Sequence, residues 1–161
     1  MVQEIVTLGM LDGVTLLGMA GLLLPAIFWD VTERRIPNAV VLPGAVAALL
    51  WSMTPGGLGW ASALLGAGVC LGVFLLFYGA RMIGAGDVKL AAALGMFHGV
   101  SGSFSLCLTI LLTGGLVSLA WLAWKTHSRQ GLDQPRSGQV PYALAIGLGT
   151  GIHLLMRGGA P

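Results

Sequence analysis

The chain of 161 residues is 56% hydrophobic and only 9% charged. Soluble domains carry about 25% charged residues, so a chain this apolar cannot cover its own surface with polar groups. Together with a mean hydropathy of +0.89, the composition indicates a membrane protein, and a net charge of +2 without a basic run argues against nucleic-acid binding.

Charged residues divide the sequence into apolar blocks whose lengths predict the membrane spans, because one transmembrane helix needs about 20 mostly apolar residues. Four blocks have room for one, two, two and one helices: Gly13–Trp29, Ile36–Ala80, Leu90–Trp124 and Ser137–Met156. A turn is predicted at Thr54–Gly57 and a break at Gly99–Ser103. The expected fold is an all-α bundle of six transmembrane helices, forming one domain over residues 1–161. Three glycine pairs predict close helix–helix contacts: Gly68 with Gly72, Gly95 with Gly99 and Gly147 with Gly151.

The basic residues predict how the bundle is oriented. Seven of the eight Lys and Arg residues fall in three segments that six spans put on one side: Asp30–Arg35, Arg81–Lys89 and Lys125–Arg136. Because cytoplasmic loops carry an excess of Lys and Arg, this side is predicted to be cytoplasmic, with both termini outside. Asp30 then lies at the cytoplasmic end of span one and Asp87 at the cytoplasmic start of span four.

These two aspartates are the candidate catalytic residues. The segment Gly84–Lys89 (GAGDVK) places Asp87 directly before an apolar run, and a carboxylate at membrane depth is costly enough to suggest a functional site. Gly84 and Gly86 allow another backbone or a substrate to approach closely. The structural alternatives are an ion pair of Asp30 with Arg34 four residues on, and a helix N-cap for Asp87.

Two carboxylates that meet in a poorly hydrated site share a proton. The ionised one draws a proton from water while the protonated one polarises the scissile carbonyl, which is the chemistry of an aspartic protease. The sequence contains neither Gly-x-Ser-x-Gly nor His-Glu-x-x-His, so it offers no competing hydrolase motif.

Other polar residues are candidates for supporting roles. Pro141 and Tyr142 begin span six on the side of the aspartates, and their alternative interpretation is a Pro-initiated helix with an interfacial Tyr. Arg35 and Lys89 are candidates for electrostatic support or substrate positioning. Asn38 is a candidate N-cap for span two.

The histidines and cysteines predict no further site. His98, His127 and His153 are widely separated in the sequence and are interpreted as helix-end and loop residues. Cys70 and Cys107 lie inside apolar runs without a CxxC pair, and we interpret them as small buried hydrophobic residues rather than as a metal site or a disulfide.

Three ordered motifs resemble those of the type IV prepilin peptidase family, the GxGD-type membrane aspartic proteases. They are Asp30 followed by Arg35–Asn38 (RIPN), Gly84–Lys89 (GAGDVK) and Pro141–Gly147 (PYALAIG). The resemblance implies a multi-pass inner-membrane endopeptidase that cleaves the leader from prepilin or prepilin-like proteins at the cytoplasmic face. It also implies that Asp30 and Asp87 are catalytic and that Gly84 and Gly86 shape the loop that presents Asp87.

Larger members of that family carry a cysteine-rich insertion associated with zinc and with methyltransferase activity. This chain has no CxxC pair, so we expect no metal, no other cofactor and no methyltransferase activity. It is more similar to the short members that serve tight-adherence (Flp) pili, and its expected partners are a prepilin substrate and the lipid bilayer. Two alternatives are a small ion- or proton-coupled transporter and a non-catalytic pilus assembly protein.

Overall fold

The computed structural model describes the backbone of residues 2–127 and 142–158 and the side chains of residues 13–124 and 142–156. Within these ranges every regular element is a helix: α1 (Val2–Glu33), α2 (Asn38–Ser52), α3 (Trp60–Gly79), α4 (Ala85–His127) and α5 (Tyr142–Gly158). The predicted all-α fold is confirmed, and the predicted turn at Thr54–Gly57 lies between α2 and α3.

The longest helix, α4, is kinked at Gly99, whose φ of 64° and ψ of −173° are not helical. The hydroxyl of Ser103 donates hydrogen bonds to the carbonyl oxygens of Gly99 at 2.6 Å and Gly95 at 3.3 Å, which satisfies backbone acceptors beside the kink. An unbroken helix of this length would measure about 60 Å, roughly twice the hydrocarbon thickness of a bilayer. The predicted break is therefore confirmed at Gly99 only, since residues 100–103 are helical. It separates a first segment (85–98) from a second (100–127).

Three helical stretches have the length and apolar composition to cross a membrane, and two shorter apolar helices accompany them. The longer ones are Gly13–Glu33, Trp60–Gly79 and Ala85–Trp124, and the shorter ones are Asn38–Ser52 and Tyr142–Met156. Leu17, Leu76 and Leu155 are each at least 75% exposed, as expected for side chains that face lipid. The composition-based prediction of a membrane protein is confirmed. The count of six spans is not confirmed by these lengths and stays a prediction.

Glycines allow α3 and α4 to approach each other closely. A Cβ added to Gly66 would overlap the backbone of Gly95 and of Gly99, so the contact predicted for Gly95 and Gly99 is confirmed. Gly68 and Gly72 have no atom within 4 Å of an added Cβ. The close contact predicted there is therefore wrong for the described part of the chain, because this face of α3 is not the one that packs on α4.

Glycines also place α5 against α1 and the second segment of α4. A Cβ added to Gly147 would lie 2.8 Å from Ile27 Cδ1, and a Cβ added to Gly149 would lie 2.7 Å from Ile110 Cα. Gly151, which the sequence paired with Gly147, has no described atom within 4 Å of an added Cβ. This packing brings the first turn of α5 to the end of α1.

Candidate active site

Asp30 lies in the last turn of α1 and is only 9% exposed. Its Oδ2 accepts a hydrogen bond of 2.9 Å from the backbone N–H of Ala143, the second residue of α5. The first N–H groups of a helix have no intrahelical acceptor, and this end of the helix dipole favours a negative charge. The start of α5 therefore positions the Asp30 carboxylate at the end of α1.

Asp87 is the third residue of α4 and is 8% exposed. Its Oδ2 accepts a hydrogen bond of 3.0 Å from the backbone N–H of Gly84, and the carbonyl of Gly84 accepts from Val88. Gly84 therefore occupies the N-cap position, and Asp87 reaches back to it as the acidic member of a capping box does. The alternative of Asp87 as the N-cap is wrong, because the helix begins earlier than that alternative required.

Asp30 and Asp87 line one cavity of about 690 Å³, although they are far apart in the sequence. The cavity lies where the ends of α1, α3 and α5 meet both segments of α4. Its other lining residues are Val31, Arg34, Phe77, Arg81, Met82, Ile83, Gly84, Leu111, Gly114, Gly115, Ser118, Trp121 and Tyr142. The two carboxylates thus line the same cavity at one end of the bundle, and their predicted catalytic role stays a prediction.

The two glycines before Asp87 occupy crowded positions. A Cβ added to Gly86 would lie 3.1 Å from Ile36 Cβ, in the loop between α1 and α2. A Cβ added to Gly84 would lie 3.1 Å from Oδ2 of Asp87. The absence of side chains here lets the loop pack on the first turn of α4 and leaves space beside the carboxylate.

Lys89 joins the first turns of two helices. Its Nζ donates a hydrogen bond of 3.0 Å to Oδ1 of Asn38, the first residue of α2. Pro37 is the N-cap of α2, with extended backbone angles and no side-chain cap hydrogen bond. The prediction that Asn38 caps this helix is wrong, because the helix begins one residue too early for Asn38 to be its cap.

The arginines that line the cavity are Arg34 and Arg81, neither of which was predicted as a supporting residue. Arg35, the predicted supporting residue, has a side chain that is 80% exposed and donates to Glu33 at 3.3 Å. Neither Arg35 nor Lys89 is among the lining residues. The basic run at the end of α1 signals this end of the bundle, but not which of its arginines faces the cavity.

Tyr142 lines the cavity from the first position of α5. Its ring packs on α4, since a Cβ added to Gly114 would lie 2.7 Å from the Tyr142 hydroxyl oxygen. Tyr142 therefore lines the same cavity as Asp87. Pro141, the other predicted residue of this motif, lies outside the described residues. Apart from the adjacent glycines 114 and 115, no motif marks the second segment of α4 as a cavity wall.

Two side-chain pairs that the sequence does not predict lie outside the cavity lining. The rings of His98 and His153 pack with centroids 4.8 Å apart, and Nδ1 of His153 lies 3.2 Å from the Ser105 hydroxyl. Cys70 and Cys107 are both buried, as predicted, and their sulfur atoms are 3.4 Å apart. Among the described side chains, no three His, Cys, Asp or Glu residues are grouped so that they could hold a metal ion.

Taken together, the helices and the cavity define a membrane protein of helical bundle type with two buried carboxylates at one end. The sequence profile of the type IV leader peptidase family matches residues 17–123, a stretch that includes both aspartates. The chain belongs to this family. No curated protein and no solved structure matches the chain.

Proposed function

We propose that this leader peptidase family member is an aspartic endopeptidase in which Asp30 and Asp87 are the catalytic pair. The observation that carries the proposal is that two carboxylates from different helices, each about nine-tenths buried, line one cavity. Burying two carboxylates together costs free energy, so a buried pair of this kind suggests a functional site. A shared water that attacks a peptide bond is a use that agrees with the family.

The proposed mechanism assigns complementary roles to the two carboxylates. Because neighbouring carboxylates in a poorly hydrated site cannot both ionise easily, they hold one proton between them. The ionised carboxylate accepts a proton from the water as it attacks, and the protonated one donates to the scissile carbonyl oxygen. Backbone N–H groups contact Oδ2 of Asp30 and Oδ2 of Asp87, so we assign Oδ1 of each to the water and the substrate.

The proposed substrate is the leader of a prepilin or prepilin-like protein, cut at the cytoplasmic face of the inner membrane. Arg34 and Arg81 beside the cavity support this sidedness, because basic residues concentrate on the cytoplasmic side. Both chain termini are then outside. The short sequence between Arg35 and α2, without CxxC pairs, supports a tight-adherence (Flp) pilus substrate and a peptidase without methyltransferase activity.

The depth of the aspartates favours a peptidase over a transporter. Transport sites lie near the middle of the membrane, whereas Asp30 is in the last turn of α1 and Asp87 in the first turn of α4. A peptide bond next to a substrate's apolar helix is presented at such an edge. The remaining alternative is a non-catalytic pilus assembly protein. The cleavage assay distinguishes it from a peptidase.

The test is leader cleavage of purified candidate prepilin by the purified protein in liposomes. Asp30→Asn and Asp87→Asn should each lower the cleavage rate by about 10²–10⁴-fold, the usual contribution of a general acid or base. Glu33→Gln is the matched control, since Glu33 is a carboxylate of the same helix end but is 48% exposed and pairs with Arg35. Substantial cleavage by either Asn variant would falsify that aspartate's assignment, and an inactive wild type with every candidate would favour the assembly role.

A further inference from the structure

Two thiols face each other in the interface between α3 and α4. Cys70 is fully buried and Cys107 is 4% exposed, and the S–H of Cys107 donates to the Cys70 sulfur over 3.4 Å. They are the only two cysteines of the sequence. The apolar character of the two residues explains their burial, but it does not explain why the two sulfurs meet.

The packing around the two sulfurs holds them together. A Cβ added to Gly95, in the first segment of α4, would lie 2.8 Å from the Cys70 sulfur. Cys107 belongs to the second segment of α4. Cys70 is therefore enclosed by both segments. The sulfurs need to move by about 1.4 Å to reach the length of a disulfide bond.

We infer that Cys70 and Cys107 form a modification site at which a peroxide produces an intramolecular disulfide between α3 and α4. The proposed oxidant is hydrogen peroxide, which is small and uncharged. The Cys70 sulfur attacks one peroxide oxygen, the O–O bond breaks, and the other oxygen leaves as water with the thiol proton. The Cys107 sulfur then attacks the resulting sulfenic acid, the S–O bond breaks, and a second water leaves. Two thiols and one peroxide thus give one disulfide and two waters.

The disulfide would connect two walls of the cavity. Cys70 lies two turns before Phe77 on α3, and Cys107 lies about one turn before Leu111 on α4. Phe77 and Leu111 both line the cavity. Oxidation would therefore fix the separation of these walls. The inference does not depend on the proposed peptidase activity, and its test measures the thiols directly.

The experiment treats the purified full chain in liposomes with hydrogen peroxide, denatures it, and alkylates it with N-ethylmaleimide before intact-mass analysis. The untreated protein should take up two labels. The oxidised protein should take up none, remain a monomer on a non-reducing gel, and regain two labels after dithiothreitol. A peptide map without reductant should contain Cys70 joined to Cys107.

The controls separate proximity from general reactivity. Cys70→Ser and Cys107→Ser should each retain one alkylatable thiol after peroxide. The double variant Cys107→Ser/Leu108→Cys keeps two thiols but moves one to a position that is 60% exposed, and it should form no intramolecular disulfide. The inference is overturned if both wild-type thiols still alkylate, if they gain oxygen instead of joining, if only intermolecular disulfides form, or if the double variant closes as readily.

Discussion

Asp30 and Ala143 are joined by a hydrogen bond of 2.9 Å, although they belong to the first and last helices of the chain. Both residues are buried, so the carboxylate satisfies an N–H group that no water reaches. The contact fixes the start of α5 at the wall of the cavity, where Tyr142 lines it beside Asp30. The candidate catalytic carboxylate of Asp30 thus also holds the first and last helices together. Substitutions can separate its structural role from its proposed catalytic role.

Asp30→Ala should lower the free energy of unfolding by about 1–3 kcal/mol, because it leaves the buried N–H of Ala143 without an acceptor. Asp30→Asn keeps an oxygen at that position and should cost only a small part of this. Unfolding by denaturant in detergent, monitored by circular dichroism, measures the stability of both variants. Equal losses of stability in the two variants would show that the hydrogen bond does not stabilise the bundle, whatever their cleavage activities.

Gly114→Ala should displace the Tyr142 ring. The added Cβ would lie 2.7 Å from the Tyr142 hydroxyl oxygen and 3.0 Å from Cε2, and overpacking of this kind costs about 1–3 kcal/mol. Gly115 is the matched control, because it is adjacent in the same helix and has no atom within 4 Å of an added Cβ. The free energies of unfolding of the two variants give the comparison.

Adding Tyr142→Phe to the Gly114→Ala variant removes the atom nearest the added Cβ. This second substitution should therefore recover part of the lost stability, although the same substitution gives no such gain in the wild type. Similar stabilities of the Gly114→Ala and Gly115→Ala variants, or no recovery by Tyr142→Phe, would mean that this ring does not pack on Gly114.

The sequence predicts which end of the bundle holds the aspartates, because charged residues mark the helix ends and apolar lengths mark the spans. It does not predict contacts between helices that are apolar on most sides. No polar face indicates how such a helix is rotated about its axis. For this reason Cys70 with Cys107 and His98 with His153 were not predicted as pairs, although each pair meets in the bundle.

The contact of Asp30 with Ala143 was not predictable for a related reason. It depends on how closely α5 approaches α1, which small residues such as Gly147 permit, and on a backbone N–H that has no sequence signature. By contrast, the Gly84–Lys89 motif was informative, because a glycine, a carboxylate and a helix start are coupled locally. The hydrogen bond from Gly84 to Asp87 spans only three residues.

Gly86→Val should impair leader cleavage more than it impairs folding. The first added atom would lie 3.1 Å from Ile36 Cβ, so the α1–α2 loop or the first turn of α4, which carries Asp87, must shift. A misplacement of a catalytic group by about 1 Å can cost roughly 100-fold in rate. Ala85→Val is the control, because Ala85 is an exposed neighbour in the same helical turn.

The measurement for Gly86→Val is the single-turnover cleavage rate with saturating substrate, compared with the unfolding midpoint of the same preparation. We expect the rate to fall by about 10–100-fold, while Ala85→Val stays close to wild type. A Gly86→Val enzyme with normal rates would show that the contact with Ile36 does not set the position of Asp87.

Gly99→Ala should destabilise the bundle by about 1–3 kcal/mol, because φ near +64° with ψ near −173° is a conformation that essentially only glycine adopts. The added Cβ would also lie 2.6 Å from the Ser62 hydroxyl oxygen. Gly68→Ala is the opposite case. Gly68 is helical and has no atom within 4 Å of an added Cβ, so alanine there should be neutral or stabilise by up to about 1 kcal/mol. Thermal unfolding in detergent compares the two variants. If Gly99→Ala were as stable as Gly68→Ala, the kink that divides α4 could not depend on the conformation of Gly99.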